Sequence, residues 1–279
     1  MSMKIVVFTD LDATLLDSET YSWKYAEESI EALRKREAAL VMVTSKTLRE
    51  VGSLYKELGF EDPFVFENGG GIAFRKETPL GEYLISQEPQ IDEFHREGFT
   101  VLALGTRYEV LVKSLAQISA ELGTPLLGFS AMSDELVAEA TGLPREQAAK
   151  ARKRLFDEPF MISKESIDLE AQIRGAATRR GLDVVKGGTF WHLIGHAGKG
   201  KAVSILMEAF RKRYGDVVSI GLGDSPNDFP FLQLVDIPVV LGKPEKAEPV
   251  SFLSEKAHPY NVLGPKGWNQ AVLDILVTL

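Results

Sequence analysis

The 279-residue sequence contains no cysteine and only four histidines. Without a thiol the chain can have no disulfide framework, no cysteine nucleophile and no metal site built on cysteine. Any covalent catalysis or metal binding must therefore use oxygen or imidazole groups. The composition, with 44% apolar and 26% charged residues, is that of a well-packed globular protein.

Long apolar runs and an excess of positive charge are also missing. No segment approaches the roughly 20 apolar residues of a membrane span, and the first apolar run already meets a carboxylate at Asp10, which is unlike a signal peptide. We therefore expect a cytoplasmic protein. The net charge of −8 argues against nonspecific binding to nucleic acid or to an anionic membrane. An anionic substrate would need a local source of positive charge.

The two outer parts of the chain alternate buried strands with amphipathic helices. Residues 4–10 and 39–44 are nearly uninterrupted apolar runs, and a helix is predicted between them over residues 23–36. Such a βαβ unit predicts a parallel sheet. Further helices are predicted at residues 48–58, 201–213 and 268–276, and further strands at 63–66, 217–221 and 237–241. The fold class is therefore α/β, with a doubly wound parallel sheet.

The middle of the chain has a different pattern. Short strands are predicted at residues 99–104, 182–185 and 190–194, and helices at 108–122, 145–156 and 166–179. Strands and helices mixed in this way favour an inserted α+β domain with its own sheet. We predict a core formed by residues 1–83 plus 195–279 and an inserted domain over residues 84–194.

Polar side chains follow the predicted parallel strands. Asp10 and Asp12 follow the first strand and Asp224 follows a later one, and the carboxyl ends of parallel strands meet at one edge of a sheet. Carboxylates suit Mg²⁺. One carboxylate could attack phosphorus while a second acid protonates the leaving oxygen. Thr44 and Lys199 would then hold the phosphoryl oxygens.

Each of these motifs alone has an ordinary structural explanation. An Asp-x-Asp pair after a strand is usually a turn, and Thr44-Ser45 before a helix is typical of an N-cap. The Gly-Asp-Ser-Pro-Asn-Asp run at residues 223–228 has the composition of a surface turn. Their appearance together, in order, at predicted strand ends favours the catalytic interpretation.

In combination the motifs resemble those of the haloacid dehalogenase-like (HAD) phosphohydrolases. The four motifs of that family match residues 10–14, Thr44, Lys199 and residues 223–228. The resemblance covers nearly the whole chain and implies a Rossmann-like core with the α+β insert as a type IIB cap domain. It also implies Mg²⁺ as the cofactor.

The resemblance implies a role for each acidic residue of the motifs. Asp10 would be the nucleophile and a metal ligand. Asp12 would act as general acid and then as general base, with its backbone carbonyl on the metal. Asp224 would be a direct metal ligand, and Asp228 a ligand or a partner of the ligands.

The other matched positions would bind phosphate or orient the acids. Thr44 and Lys199 would bind the phosphate, with Ser45 beside Thr44, and Asn227 would orient its neighbours. Ala13 stands where many relatives have glycine. A small residue still suits a tight turn there.

A narrower resemblance is to the mannosyl-3-phosphoglycerate phosphatases. It rests on short motifs at residues 44–47, 67–70, 158–160, 190–192 and 223–230. It implies hydrolysis of mannosyl-3-phosphoglycerate, or of a close glycosyl-3-phosphoglycerate, to glycosylglycerate and phosphate through an aspartyl-phosphate. The partner would be a small phosphorylated sugar or glycerate. Thr189 stands where relatives often have an arginine.

A phosphoglycerate substrate carries a carboxylate as well as a phosphate. Lys46, directly after the Thr44-Ser45 pair, would meet that carboxylate, unless it is an ordinary solvated lysine at a helix start. Asn68 and Gly69 would approach the ligand with their backbone, or would form a turn.

The histidines and the paired arginines have simpler explanations. His192 and His196 are spaced as metal ligands on a helix, but they fall on a predicted strand and a loop, so structural or substrate-edge roles are favoured. Arg152, Arg154 and the pair at residues 179–180 are expected on solvated helix faces, with a contribution to the charge of the inserted domain as the alternative.

Three other functions remain open at this point. The chain could be a broad sugar-phosphate phosphatase, or a phosphomannomutase, which shares this core and cap type and releases no net phosphate. It could also be a non-catalytic regulatory module that depends on magnesium or phosphate. Asp12 argues against such a module, because a phosphoacceptor needs no acid for a leaving group.

Overall fold

The computed structural model describes residues 3–87, 92–162, 167–187, 190–242 and 258–279. Thr189 and residue 166, where a helix was predicted to start, lie outside these ranges. The strands are β1 (Lys4–Thr9), β2 (Ala39–Met42), β3 (Phe64–Phe66), β4 (Gly71–Phe74), β5 (Asp92–Arg96), β6 (Phe99–Ala103), β7 (Leu126–Gly128), β8 (Asp157–Ile162), β9 (Asp183–Lys186), β10 (Trp191–Ile194), β11 (Val217–Gly223), β12 (Ile237–Leu241) and β13 (His258–Tyr260).

The α-helices connect these strands and cover the sheets. They are α1 (Glu27–Lys35), α2 (Leu48–Leu58), α3 (Pro79–Gln87), α4 (Tyr108–Leu122), α5 (Asp134–Thr141), α6 (Arg145–Ala151), α7 (Ile167–Thr178), α8 (Lys199–Tyr214), α9 (Phe229–Leu232) and α10 (Gly264–Thr278). None of the helices in the described ranges is long and apolar enough to cross a membrane.

The predicted doubly wound α/β core is confirmed. Its sheet has the order β13-β12-β11-β1-β2, and every neighbouring pair is parallel. Successive side chains of a strand point to opposite faces, so Val7 of β1 packs with α1, α2 and α10, whereas Val6 and Phe8 pack with α8 and α9. Helices on both faces bury residues 5–9 of β1, which explains the apolar sequence of this strand.

A second, antiparallel sheet has the order β7-β8-β10-β9. Helices α4 and α7 cover one of its faces through a cluster that includes Leu111, Phe160 and Trp191. The α5–α6 hairpin has its own small cluster, which includes Phe129 and Val137 and packs against Phe190. Pro159 and His192, which alternate with members of the first cluster along β8 and β10, line the cavity described below.

The strand predicted at residues 99–104 is present as β6, but it pairs with β4 in a third sheet of order β3-β4-β6-β5. Phe99 and Val101 pack into the same cluster as α2, and Leu102 into the cluster on the other side of the core. The apolar faces of β6 are buried by core elements, so this strand does not extend the β7-β8-β10-β9 sheet. The division into residues 1–83 plus 195–279 and 84–194 stays a prediction.

The helix predicted over residues 145–156 ends at Ala151 as α6, so its second half was wrong. The backbone N–H groups of Leu155 and Phe156 donate to the carboxylate of Glu67. They are therefore unavailable for the hydrogen bonds that would continue the helix. The chain proceeds directly into β8, which was not predicted.

Candidate active site

Three carboxylates meet at the carboxyl edge of the parallel sheet. Asp10 follows β1, Asp224 follows the neighbouring strand β11, and Asp228 ends the 3₁₀ turn Pro226–Asp228. One oxygen atom of each lies within 4.8 Å of the others. The fold therefore brings together Asp10 and Asp224 of the set predicted from the strand ends, with Asp228 and without the Asp12 carboxylate.

A buried lysine lies between two of these acids. Lys199 is the first residue of α8, and its Nζ is 2.6 Å from Oδ1 of Asp10 and 2.7 Å from Oδ1 of Asp228. Burial disfavours the charged amine, but attraction to Asp10 and Asp228 outweighs it and raises the pKa of Lys199. Lys199 is therefore a fixed positive charge beside Asp10.

The same burial makes the acids difficult to ionise together. Burial raises the pKa of Asp10 well above the usual range of aspartate; Lys199 opposes this rise, and Asp228 and Asp224 add to it. Burial, reinforced by Asp228, raises the pKa of Asp224 to about 6. A cation among the carboxylates would relieve this repulsion. The donor set consists of carboxylate oxygens, which fits a hard ion such as Mg²⁺.

The loop after β11 is held rigidly by one of the acids. Oδ2 of Asp228 accepts hydrogen bonds from the backbone N–H groups of Asp224 and Ser225 and from the Ser225 hydroxyl, each at 3.1 Å. Thr14 donates to Oδ1 of Asp224 at 3.1 Å. These bonds fix the orientation of Asp224. The run at residues 223–228, which has the composition of a surface turn, therefore also positions a carboxylate of the acidic cluster.

Asp12 pairs with Lys46. Ala13 has a φ of 57°, so the chain turns sharply after Asp12. The half-exposed Asp12 places Oδ1 at 2.7 Å from Nζ of Lys46. Burial disfavours the charge of Lys46, but attraction to Asp12 and Glu50 outweighs it and raises the pKa of Lys46 to about 12. Lys46 is thus a partly buried cation at the site, with 13% of its side chain exposed, and not a fully solvated lysine.

The predicted phosphate-binding pair does not cap the following helix. Thr47 caps α2, forming reciprocal side-chain and backbone hydrogen bonds with Glu50. Thr44 is fully buried, and its hydroxyl oxygen accepts the backbone N–H of Lys46 at 3.1 Å. The N-cap explanation for Thr44-Ser45 is therefore wrong. Both residues follow β2, which pairs with β1, the strand that ends directly before Asp10.

A cavity of about 380 Å³ opens over the acidic cluster. Its core wall includes most of the predicted site residues, namely Asp10, Asp12, Ser45, Lys46, Lys199, Asp224 and Asn227. Its other wall comes from the inserted segment and includes Phe129, Leu143, Pro159, Phe190 and His192. Thr44, Asn68, Gly69 and Asp228 are buried and do not belong to the cavity lining.

Asn68 and Gly69 have structural explanations in the fold. Asn68 has a φ of 55°; its Oδ1 accepts from Nδ2 of Asn227, and its own Nδ2 donates to Asp157, both at 2.8 Å. Gly69 has a φ of 89°, and a β-carbon there would lie 2.2 Å from the carbonyl carbon of Gly198. Gly69 thus allows two backbone segments to touch directly before Lys199. Whether either residue meets a ligand stays a prediction.

Two functional candidates in the inserted segment, Arg154 and Asp157, were not predicted from the sequence. Arg154, expected on a solvated helix face, is buried; its guanidinium donates to the backbone oxygen of Ser45 at 3.2 Å and lies 3.3 Å from Asp157. Asp157 is completely buried. Apart from this mutual i,i+3 pair, their partners Ser45, Asn68 and His192 are distant in sequence, and no local pattern indicates such pairing. The neighbouring motif at residues 158–160 was the available signal.

Glu67 was also missed. It is fully buried, and burial raises its pKa to about 7 even though Arg154 lowers it. Its carboxylate accepts the backbone N–H groups of Leu155 and Phe156, so it fastens the segment that precedes β8 to the core.

The two histidines have different carboxylate partners. His192 is buried on β10, and its Nδ1 is 2.9 Å from Oδ2 of Asp157. His196 is exposed, and its Nδ1 is 3.2 Å from Oδ2 of Asp183. This agrees with the expectation that they are not paired metal ligands.

Comparison with known proteins gives consistent results. The model of the haloacid dehalogenase-like hydrolase family matches residues 7–98. The chain is 37% identical over 276 residues to a glucosyl-3-phosphoglycerate/mannosyl-3-phosphoglycerate phosphatase of Methanococcoides burtonii, covering 98% of each chain. It is 38% identical over 277 residues to a protein of the same name from Persephonella marina, covering 98% of this chain and 97% of the relative.

Solved structures match over the same length. A HAD subclass IIB sugar phosphatase is 15% identical, with a TM-score of 0.63, and the match covers 98% of this chain and all of that structure. At this identity the likeness concerns the fold.

Proposed function

The chain belongs to the haloacid dehalogenase-like hydrolases, and from this membership we propose that it is a Mg²⁺-dependent phosphatase of glycosyl-3-phosphoglycerates. The observation that carries the proposal is the cluster of Asp10, Asp224, Asp228 and Lys199 at one end of a cavity with walls from two parts of the chain. A nucleophile, a metal site and a phosphate-binding cation are then within reach of one phosphoryl group.

The substrate class is supported by the two relatives. Their names include both glucosyl- and mannosyl-3-phosphoglycerate, and the similarity extends over 98% of this chain. Such a substrate has a phosphate, a carboxylate and a sugar. We assign the phosphate to Lys199 and Thr44-Ser45, the carboxylate to Lys46, and the sugar to the part of the cavity lined by the inserted segment.

The chemistry proceeds in two steps at phosphorus. In the first, a carboxylate oxygen of Asp10 attacks phosphorus, the ester bond from phosphorus to oxygen breaks, and Asp12 gives its proton to the leaving oxygen. In the second, Asp12 takes a proton from water as the water oxygen attacks phosphorus of the aspartyl-phosphate. Phosphate leaves, and the Asp10 carboxylate is regenerated. Lys199 faces the oxygens on which charge shifts during both steps.

The metal would be held by Asp10, Asp224 and Asp228, with the backbone carbonyl of Asp12. When bound, Mg²⁺ neutralises negative charge on the carboxylates and the phosphate. The chain itself fixes these ligands: Asp228 anchors the loop that carries Asp224, and Thr14 orients Asp224. Ser45 is fixed from the other side by Arg154.

A phosphate-release screen in the presence of Mg²⁺ tests the proposal. Mannosyl- and glucosyl-3-phosphoglycerate should be hydrolysed with kcat/KM at least tenfold above that for mannose 6-phosphate and glucose 1-phosphate. Equal values for all four would reject the narrow substrate class, and interconversion of hexose phosphates without phosphate release would indicate a mutase. Asp10→Asn tests the nucleophile, since asparagine is nearly isosteric with aspartate but cannot form the aspartyl-phosphate. Residual turnover in a folded variant would contradict the role of Asp10.

A further inference from the structure

In the β7-β8-β10-β9 sheet, a histidine that lines the cavity is hydrogen-bonded to a buried aspartate of the adjacent strand. His192 of β10 lies in the cavity lining, and its Nδ1 is 3.0 Å and 2.9 Å from the two carboxylate oxygens of Asp157 on the adjacent strand β8. Asp157 is completely buried and is also approached by Arg154. The phosphatase chemistry proposed above uses neither His192 nor Asp157.

The partner of Nδ1 determines what the other ring nitrogen can do. Burial opposes ionisation of Asp157, but His192, Arg154 and Asn68 outweigh it and hold the pKa of Asp157 below its usual range. A carboxylate only accepts hydrogen bonds, so Nδ1 carries the hydrogen. Among the described residues the hydrogen bonds of this ring run through Nδ1. Nε2 is therefore the atom that remains for a ligand.

Access to Nε2 depends on a glycine. A β-carbon at Gly187 would lie 2.9 Å from Nε2 of His192 and would cover it. Pro159, opposite His192 in the strand register, also lines the cavity, as do the rings of Phe129 and Phe190, which are in edge contact at 4.9 Å between centroids. Thr141 and Arg154 also line the cavity. The wall is therefore largely apolar with a few polar groups, which is typical of a site that orients a small organic ligand.

The local charges favour a neutral ligand group. The positive charge of Arg154 is matched by Asp157, with Glu67 on its other side. Among its described residues this wall therefore has no surplus cation for a carboxylate or a phosphate. In the neutral ring Nε2 accepts a hydrogen bond and in the charged ring it donates one. A hydroxyl group can serve as partner in both cases.

The same histidine is linked by hydrogen bonds to the loop after β11, which carries Asp224 and Asp228. Asp157 accepts from Asn68 at 2.8 Å, and Asn68 accepts from Asn227 at 2.8 Å. Asn227 lies in the turn that ends at Asp228. The chain from His192 through Asp157 and Asn68 to Asn227 thus sets the distance between the inserted wall and the phosphate end of the cavity.

We infer that His192 is a sugar-binding residue, which contacts a ring hydroxyl of the glycosyl group through Nε2 while Asp157 fixes the orientation of its imidazole. The inference rests on the proposed function and names the part of the substrate that the inserted wall recognises. It assigns discrimination between glycosylated and unglycosylated substrates to this wall.

The test compares His192→Asn with the wild type on two substrates. The asparagine Nδ2 can still donate to Asp157 from the position of Nδ1, whereas asparagine has no atom at the position of Nε2. We measure kcat and KM for mannosyl-3-phosphoglycerate and for 3-phosphoglycerate, which has the same phosphate and carboxylate but no sugar. The ratio of the two kcat/KM values should fall about five- to tenfold, mainly through KM, as expected for one lost hydrogen bond.

Two further variants complete the design. His192→Gln carries an amide that reaches toward the position of Nε2, so it should recover part of the ratio and also serves if the asparagine variant folds poorly. His196→Asn is the matched control, because His196 also pairs with an aspartate but is exposed; its ratio should equal that of the wild type.

The outcomes separate the two proposals. If His192→Asn keeps the wild-type ratio, or loses activity equally on both substrates while His192→Gln recovers nothing, the sugar-binding role is wrong and the proposed function stands. If the wild type itself hydrolyses 3-phosphoglycerate as well as the glycosylated substrate, the proposed substrate class is wrong, and the role of His192 with it.

Discussion

Asp12 is the residue with the most demanding task in the proposed mechanism, because it must both give and take a proton. In the structure its carboxylate is held by Lys46, with Nζ at 2.7 Å. Lys46 is the less exposed member of this ion pair, and its amine also lies near Glu50 and the ring of Tyr21. A ligand carboxylate that binds Lys46 would compete with Asp12 for it.

Asp12→Asn tests proton transfer at the residue scale. With mannosyl-3-phosphoglycerate, kcat should fall by about 10²- to 10⁴-fold, the usual contribution of general acid–base catalysis. With 4-nitrophenyl phosphate the loss in the first step should be much smaller, because the nitrophenolate leaves without a proton. Burst-phase measurements on both substrates separate the steps; equal losses of the first step on both would remove Asp12 as the acid.

At this scale the sequence was informative wherever a strand end positions the residue. Asp10 and Asp224 were predicted because they follow apolar runs, and parallel strands end at one edge. Arg154 and Asp157 were not, because their contacts with Ser45 and Asn68 join segments far apart in the chain. Burial of a charged residue by distant partners has no local sequence pattern.

At the scale of elements, helix α2 begins with a capping box that also contacts the inserted segment. The hydroxyl oxygen of Thr47 accepts the N–H of Glu50, and the hydroxyl lies 3.2 Å from the carbonyl oxygen of Lys150 in α6. Thr47→Ala should lower the free energy of unfolding by about 1–2 kcal/mol. Urea denaturation measures the change, and Thr47→Ser, which keeps the hydroxyl, should recover most of it. If Thr47→Ala and Thr47→Ser have the same free energy of unfolding, the hydroxyl of Thr47 does not stabilise the protein through this cap.

The elements also show the limit of periodicity. Apolar spacing located α2 and α4 at the observed bounds. It also located β6 but not its partner, since pairing with β4 depends on which apolar surfaces are left to cover. The helix predicted over residues 145–156 was too long because periodicity cannot show contacts with distant segments either. The hydrogen bonds that end the helix go to Glu67, in another part of the chain.

On the scale of the whole molecule, metal binding should be visible as stability. A ligand that binds only the folded state at 100 times its Kd contributes about 2.7 kcal/mol, so saturating Mg²⁺ should raise the Tm and a chelator should reverse the rise. In Asp224→Asn the Mg²⁺ effect should be largely lost, while Thr14 still has an oxygen to bond. A variant that keeps the full Mg²⁺ shift would exclude Asp224 as a ligand.

The pH dependence of stability should report on Glu67, which joins the core to the inserted segment. Burial raises the pKa of Glu67 to about 7 from 4.5, so folding favours the protonated carboxyl group. Its contribution to the free energy of unfolding is complete below pH 4.5 and is lost as the pH rises through 7. Glu67→Gln keeps oxygen for Leu155 and Phe156 without the charge, and should be more stable than the wild type at pH 8 by about 1–3 kcal/mol.

Thermal unfolding of both proteins between pH 5 and pH 8 measures this difference. The exposed Glu61→Gln is the control and should follow the wild-type curve. A Glu67→Gln variant that is less stable at pH 8 would mean that the charge of Glu67 is needed to hold Arg154.

The direct contact between Gly69 and Gly198 affects how mutational data on this protein should be interpreted. The space of the missing β-carbon is filled by the backbone that leads into Lys199. Even alanine at position 69 would have to displace that backbone and thereby move the Lys199 amine away from Asp10. A deep mutational scan scored by phosphate release would therefore rank position 69 with the chemical groups, although a glycine supplies no reactive atom.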